Sequence, residues 1–248
     1  MPTVRGLWGS GPFRVDEAIR RWQNGGALSS RFRGGRIVPS PIAHSVVPAL
    51  GFLWLRRDLK TASFWKQTLF LVGGVALAVL PDADFLPGFV LGDPVRYHRG
   101  ATHSLLVCLV AALALSPFFR AGLPEIRRGA VTVFCVFCVC SHPLLDCLAA
   151  DVSEPYGIAL FWPLSEKRFL SPISLFPPVH RLPGPAWTFV TSLANMANVR
   201  GWVVEVLFSA TALLAGVALY RRSDRIFLLA SAAGSLFCLA LYWLLQMG

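Results

Sequence analysis

Apolar residues along this chain fall into six long runs separated by short polar or basic stretches. The runs cover about 42–55, 64–80, 102–119, 130–149, 202–220 and 226–245. Most approach the ~20 residues that a helix needs to cross hydrocarbon. The pattern therefore predicts an all-α, polytopic helical membrane protein. The first run is short and is expected to tilt or to lie partly in the interface. The stretch 151–200 breaks the pattern. It carries Pro155, Trp162, Pro163, Pro172, Pro177, Pro178, Pro183 and Pro185. Prolines remove backbone donors and interrupt helices, so this stretch is predicted to be an ordered loop or re-entrant cap rather than a seventh span. Residues 1–40 form a basic, Gly-rich tail with no apolar region of the signal-peptide kind. Within it, 15–22 could form a short surface helix with Arg20 and Arg21 at the headgroups. The organisation expected is thus the tail, followed by one helical membrane domain over 41–248. In that domain four polar-motif-bearing helices precede two C-terminal spans.

Composition supports the membrane assignment. Only 15% of the 248 residues are charged, against about 25% in soluble domains. The net charge of +10 would suggest nucleic acid in a soluble protein. Here no basic stripe interleaves with exposed aromatics, and the excess reads as basic loops that orient the chain and meet anionic lipid. Membrane lipid is the expected partner and nucleic acid is not expected. The six cysteines all lie in apolar stretches. Cys135 and Cys138 are therefore expected to pack a helix rather than to form a redox or disulfide pair.

Histidine and aspartate change the picture. His44, His98, His103 and His142 sit at ends of apolar runs, with Asp82, Asp84 and Asp146 beside them. Ionisable groups near a bilayer are costly and need partners. If each of the first four runs crosses once, alternating direction puts all seven residues on one side. His142 and Asp146, four apart, share a helical face. Asp82 and Asp84 flank Ala83 in a turn after Pro81. His98 and His103 bracket Gly100, and Thr102 is a predicted helix N-cap. Imidazole nitrogen with carboxylate oxygen is the ligand set of zinc, manganese or iron enzymes. Seven donors exceed what one tetrahedral ion takes, so one or two divalent ions are expected, zinc foremost and manganese, iron or magnesium as alternatives. Arg99, Lys167 and Arg168 lie close in sequence to these motifs. Arg99 and Arg168 are the candidates for holding a phosphate, since Arg presents a fork of donors. His180 lacks a partner motif and is expected at the surface.

At these residues the chain resembles the YdjM-like family of bacterial and archaeal inner-membrane proteins, described as metal-dependent hydrolases. The matching pieces are Ala43-His44-Ser45, Leu80-Pro81-Asp82-Ala83-Asp84, His98-Arg99-Gly100-Ala101-Thr102-His103-Ser104, Ser141-His142-Pro143-Leu144-Leu145-Asp146 and the segment from Gly157 to Ser165. The resemblance covers about 41–170. The tail and the last two spans fall outside it. It implies an inner-membrane, multi-pass location and a metal held by His44, Asp82, Asp84, His98, His103, His142 and Asp146. A more distant similarity to the zinc-dependent phospholipase C and P1 nuclease group points to phosphoester or phospholipid substrates.

Orientation follows from Lys and Arg. The loops opposite the site carry Arg56, Arg57, Lys60 and Lys66, then Arg120, Arg127 and Arg128, then Arg221, Arg222 and Arg225. Basic short loops stay cytoplasmic, so the site is expected to face outward. The function expected is metal-dependent hydrolysis of a small or lipid-linked substrate, with Asp84 and Asp146 as catalytic carboxylates. A transporter, or a non-catalytic membrane protein using the cluster structurally, is the competing expectation.

Overall fold

The computed structural model describes residues 40–92, 97–149, 157–172, 174–177, 179–180, 185–221 and 225–247. The tail, with its expected surface helix at 15–22, lies outside the described residues. Each of the six apolar runs is a helix. α1 (Pro41–His44) and α2 (Val46–Leu59) share the first run, and α3 is Phe64–Ala78. A 3-10 helix (Leu80–Asp84), α4 (Phe85–Val90) and a second 3-10 turn (Ala101–His103) follow. Then come α5 (Leu105–Ala121), α6 (Arg128–Cys147), α7 (Ala186–Ser192), α8 (Met196–Tyr220) and α9 (Arg225–Met247). Among the described residues there is no strand, only two isolated bridges.

The expectation of six spans needs correction. Among the described residues two helices, α6 and α8, are long and apolar enough to cross a membrane, or three if α3 and Leu80–Val90 are one span bent by 56°. α2 and α5 are shorter, with 14 and 17 residues. α5 has 17 residues and starts only after the Ser104 N-cap, a rise of about 26 Å against the ~30 Å of hydrocarbon. The first run is divided at Ser45 because Pro48 has no N–H to reach the His44 carbonyl four residues back. The Ser45 hydroxyl also bonds the Ile42 carbonyl at 2.7 Å, a local bond that competes with the helical pattern. The cap stretch needs correction as well. It contains α7, and α8 begins at Met196 rather than at 202, because Asn195 caps it by accepting from the Asn198 amide.

α6 lies at the centre, packed on α2, α3 and α5, while α8 packs on α1, α2 and α9. The core between α2, α3, α5 and α6 is built on Phe70, Phe119 and Phe134. The Phe70 and Phe134 rings lie 4.3 Å apart. Phe134 fits between α2 and α3 because Gly51 and Gly74 have no side chains. A Cβ at either position would come within 2.6 Å of its ring. Small residues that admit a neighbour in this way are how apolar helices associate in lipid. Cys135 and Cys138 pack in the same core as free thiols.

The basic loops meet at the far end of this core. Lys66 pairs with Glu125, and the ammonium holds the Glu125 carboxyl below its usual range. Arg57 lies over the Tyr220 ring at 5.8 Å, and Arg120 donates to the Ile126 carbonyl at 2.6 Å.

At the other end the described parts of the cap are tied to helix termini. Leu105 N–H donates to the Leu160 carbonyl at 2.9 Å, and the Ser104 hydroxyl to the Trp162 carbonyl at 2.5 Å. Ser171 and Leu175 N–H groups satisfy the Cys147 and Leu148 carbonyls that α6 leaves open. Gly157 has φ +75°, and a Cβ there would meet the Phe169 carbonyl oxygen at 2.6 Å. Only glycine lets these two loop strands approach. His180, expected at the surface, is half-buried. Its backbone is clamped by the Asn198 side chain, with bonds of 2.6 and 2.7 Å.

Candidate metal centre

All seven His and Asp residues singled out by the pattern converge at the end of the bundle nearest the cap. α1 delivers His44 as its last residue, and the 3-10 turn after α3 delivers Asp82 and Asp84. Pro81 starts that turn, which bends the chain so that the two carboxylates leave the α3 axis. His98 comes from the loop before α5 and His103 from the 3-10 turn capped by Gly100. His142 and Asp146 lie one turn apart on the buried face of α6. Among the described residues, three sets of three could hold a metal ion: His44, His142, Asp146; Asp82, His103, His142; and Asp84, His98, His103.

Hydrogen bonds fix which ring atoms point inward. His142 Nδ1 lies 2.7 Å from the Ala78 carbonyl. A carbonyl only accepts, so Nδ1 carries a proton and Nε2 is the ring nitrogen turned to the cluster. His103 Nδ1 lies 3.3 Å from Asp84 Oδ2, which fixes the same tautomer. The two Nε2 atoms are 3.3 Å apart. Asp82 Oδ1 lies 3.4 Å from His142 Nε2 and 3.6 Å from His103 Nε2. Asp146 Oδ2 lies 3.4 Å from His103 Nε2 and 3.9 Å from His142 Nε2. Neighbouring ligands of a tetrahedral ion with bonds of about 2.0–2.1 Å stand about 3.3–3.4 Å apart. The donor set therefore fits a divalent ion in type and in spacing.

Two further observations bear on that fit. Asp82 Oδ1, Asp146 Oδ2, His44 Nδ1 and His98 Nε2 are buried without a hydrogen bond. Buried polar atoms in that state are rare unless something else satisfies them. Negative charge is also concentrated there. Among the described residues three carboxylates share the cluster with one guanidinium, Arg99, whose Nε lies 3.9 Å from Asp146 Oδ2, and buried charge needs compensation.

The remaining residues divide by their contacts. Asp84 is fully engaged. Its Oδ1 lies 3.0 Å from His98 Nδ1, and its Oδ2 accepts from Arg99 N–H at 3.2 Å and from the Thr102 hydroxyl at 2.8 Å. It thus holds the whole turn that carries His98, Arg99 and His103. Arg99 sits in that turn with φ 62°. Burial pushes His98 down to about 4, against the pull of the Asp84 hydrogen bond, so at neutral pH it is an uncharged ring. It stacks on Phe85 at 4.1 Å. Arg168 donates to the Gly157 carbonyl at 2.8 and 3.1 Å and to the Arg99 carbonyl at 3.3 Å, which ties the cap to the ligand-bearing turn. Lys167 lies over the Phe169 ring at 5.6 Å.

One buried acid escaped the sequence reasoning. Glu205, inside α8, is 1% exposed. The available signal was a single carboxylate in an otherwise apolar run, which membrane energetics would have flagged.

Among protein families, the YdjM inner membrane protein family matches residues 40–243. That match extends over both C-terminal helices, beyond the segment about 41–170 on which the motifs lie. No curated protein and no solved structure matches the chain.

Proposed function

The chain belongs to the YdjM inner membrane protein family, and we propose that it is a multi-pass, metal-dependent hydrolase acting on a phosphoester or lipid-linked substrate. The observation that carries this reading is the convergence of acceptors. The Nε2 atoms of His103 and His142 lie 3.3 Å apart, and Asp82 Oδ1 and Asp146 Oδ2 each lie within 3.9 Å of both. Such a set calls for a cation. His103, His142, Asp82 and Asp146 would hold the ion, and His44 and His98 offer further donors. When bound, a divalent ion supplies Lewis acidity, which lowers the pKa of a water and stabilises a leaving oxygen.

The chain's own groups supply the rest. Asp146 Oδ1 lies 3.2 Å from His44 Nε2, so a proton taken by that carboxylate can pass to the His44 ring. Asp84 keeps the His98 and His103 tautomers fixed rather than binding the ion itself. Asp82 is the member with an exposed edge, its side chain 19% accessible against 0% for His44, His103, His142 and Asp146. Substrate would approach from there. Arg99, 3.9 Å from Asp146 Oδ2, adds positive charge beside the site.

An apolar groove of about 330 Å³ supports a lipid-linked substrate. Val47, Leu50, Phe134 and Cys138 are among its walls. Val47 is three residues from His44 and Cys138 four from His142, so the groove lies on the helices that carry these two rings.

The test is phosphate release by purified protein in detergent, from phospholipid and from a soluble phosphomonoester in separate arms. Chelator should abolish release and added zinc should restore it. A wild-type protein with no stoichiometric metal would sink the proposal. Asp84→Asn is expected to weaken metal affinity about 10–100-fold, the usual effect of removing a group that orients a ligand. Titration with zinc against a competing chelator measures it. Complete loss would make Asp84 a ligand.

A further inference from the structure

Glu205 has a carboxylate in the interior of the most apolar region of the chain, where an ionisable group is costly. Each of its oxygens is used. Oε1 accepts from the Ser40 N–H at 2.8 Å. Oε2 accepts from the Ser40 hydroxyl at 2.5 Å and from the Ala43 N–H at 3.2 Å. These donors belong to the first turn of α1, whose amides have no partner within the helix. α1 is four residues long and its last residue is His44. A turn at Ser45 separates α1 from α2, and Pro48 has no N–H to offer the His44 carbonyl. Across the site, the His44 ring stacks on His142 with centroids 3.9 Å apart and planes at 14°, and its Nε2 lies 3.2 Å from Asp146 Oδ1.

We infer that Glu205 is a positioning residue of the metal centre: from α8 it grips α1 and thereby sets His44 against His142 and Asp146. The two C-terminal helices are then part of how the centre is built, beyond anchoring the chain in the bilayer. This rests on the metal-centre reading above.

The experiment is a double-mutant cycle on zinc affinity, with cobalt absorption as a second readout of the ligand field. Glu205→Gln is nearly isosteric but turns one acceptor into an amide donor facing N–H groups. It is expected to weaken zinc binding about 10–100-fold and to shift the cobalt bands. His44→Ala should show a loss of similar size. In the His44→Ala background, Glu205→Gln should then cost less than 3-fold more, because two residues acting through one contact do not add. Ser40→Ala removes one of the three bonds and should give a smaller loss in the same direction. If Glu205→Gln fails to fold in detergent, the Ser40→Ala and His44→Ala cycle decides the question by the same criterion. Wild-type zinc affinity in Glu205→Gln overturns the inference, as does an equal loss with and without His44. Wild-type protein that takes up no zinc overturns the metal-centre reading itself, and this inference with it.

Discussion

His103→Ala is expected to abolish stoichiometric zinc binding. His103 occupies the middle of the cluster, within 3.6 Å of His142, Asp82, Asp84 and Asp146. Its Nε2 is turned into the cluster by the contact its Nδ1 makes with Asp84, as that of His142 is by Ala78. Removing it leaves three carboxylates with the other rings and Arg99 to balance them. The metal-free protein should suffer as well, since breaking a buried charge pair on one side typically costs about 3–5 kcal/mol. Metal analysis of purified protein gives the first result, and thermal unfolding in detergent gives the second. Retention of one zinc per chain in this variant would remove His103 from the ligand set. Because the ligands must lose protons to bind metal, wild-type affinity should also fall as pH is lowered.

Gly74→Ala is expected to be the most damaging single-methyl change in the bundle core. The added Cβ would lie 2.6 Å from the Phe134 ring and 2.9 Å from Pro48 Cβ. Neither neighbour can give way easily. The Phe134 ring is closed in from the other side by Gly51, and Pro48 is fixed in the first turn of α2. Overpacking of this kind costs about 1–3 kcal/mol. α3 runs directly into the turn that carries Asp82, so the displacement should also lower metal affinity. Gly129→Ala provides the control, since nothing lies within 4 Å of its added Cβ. There, replacing a helical glycine should be neutral or stabilising by up to about 1 kcal/mol. Phe134→Leu combined with Gly74→Ala should recover part of the loss. Equal melting temperatures for the two alanine variants would contradict this account of the core.

The helices were legible because apolar runs report burial in lipid or protein whatever the tertiary arrangement. Their spanning capacity was less so. A hydropathy run such as 42–55 does not show that Pro48 and Ser45 divide it, or that Ser104 delays the start of α5. Of the site, the identity of the seven residues was legible, since each sits where an ionisable group is out of place. Their division of labour was hidden. Nothing in the order Asp82-Ala83-Asp84 says that one carboxylate faces two Nε2 atoms while its neighbour binds two Nδ1 atoms. Arg168 likewise looked available for a phosphate and is found bonded to the carbonyls of Gly157 and Arg99.

Sequence by itself determined that the protein is helical and membrane-embedded, and that His and Asp gather on one side. Those properties follow from periodicity and from the cost of charge in hydrocarbon, which depend on residue type and order. Tertiary structure decided which nitrogen of each ring points inward, which carboxylate is left to a cation and which acid of α8 reaches α1. Those depend on contacts between residues far apart in the chain, such as Glu205 with Ser40 and His142 with Ala78, which local pattern does not encode.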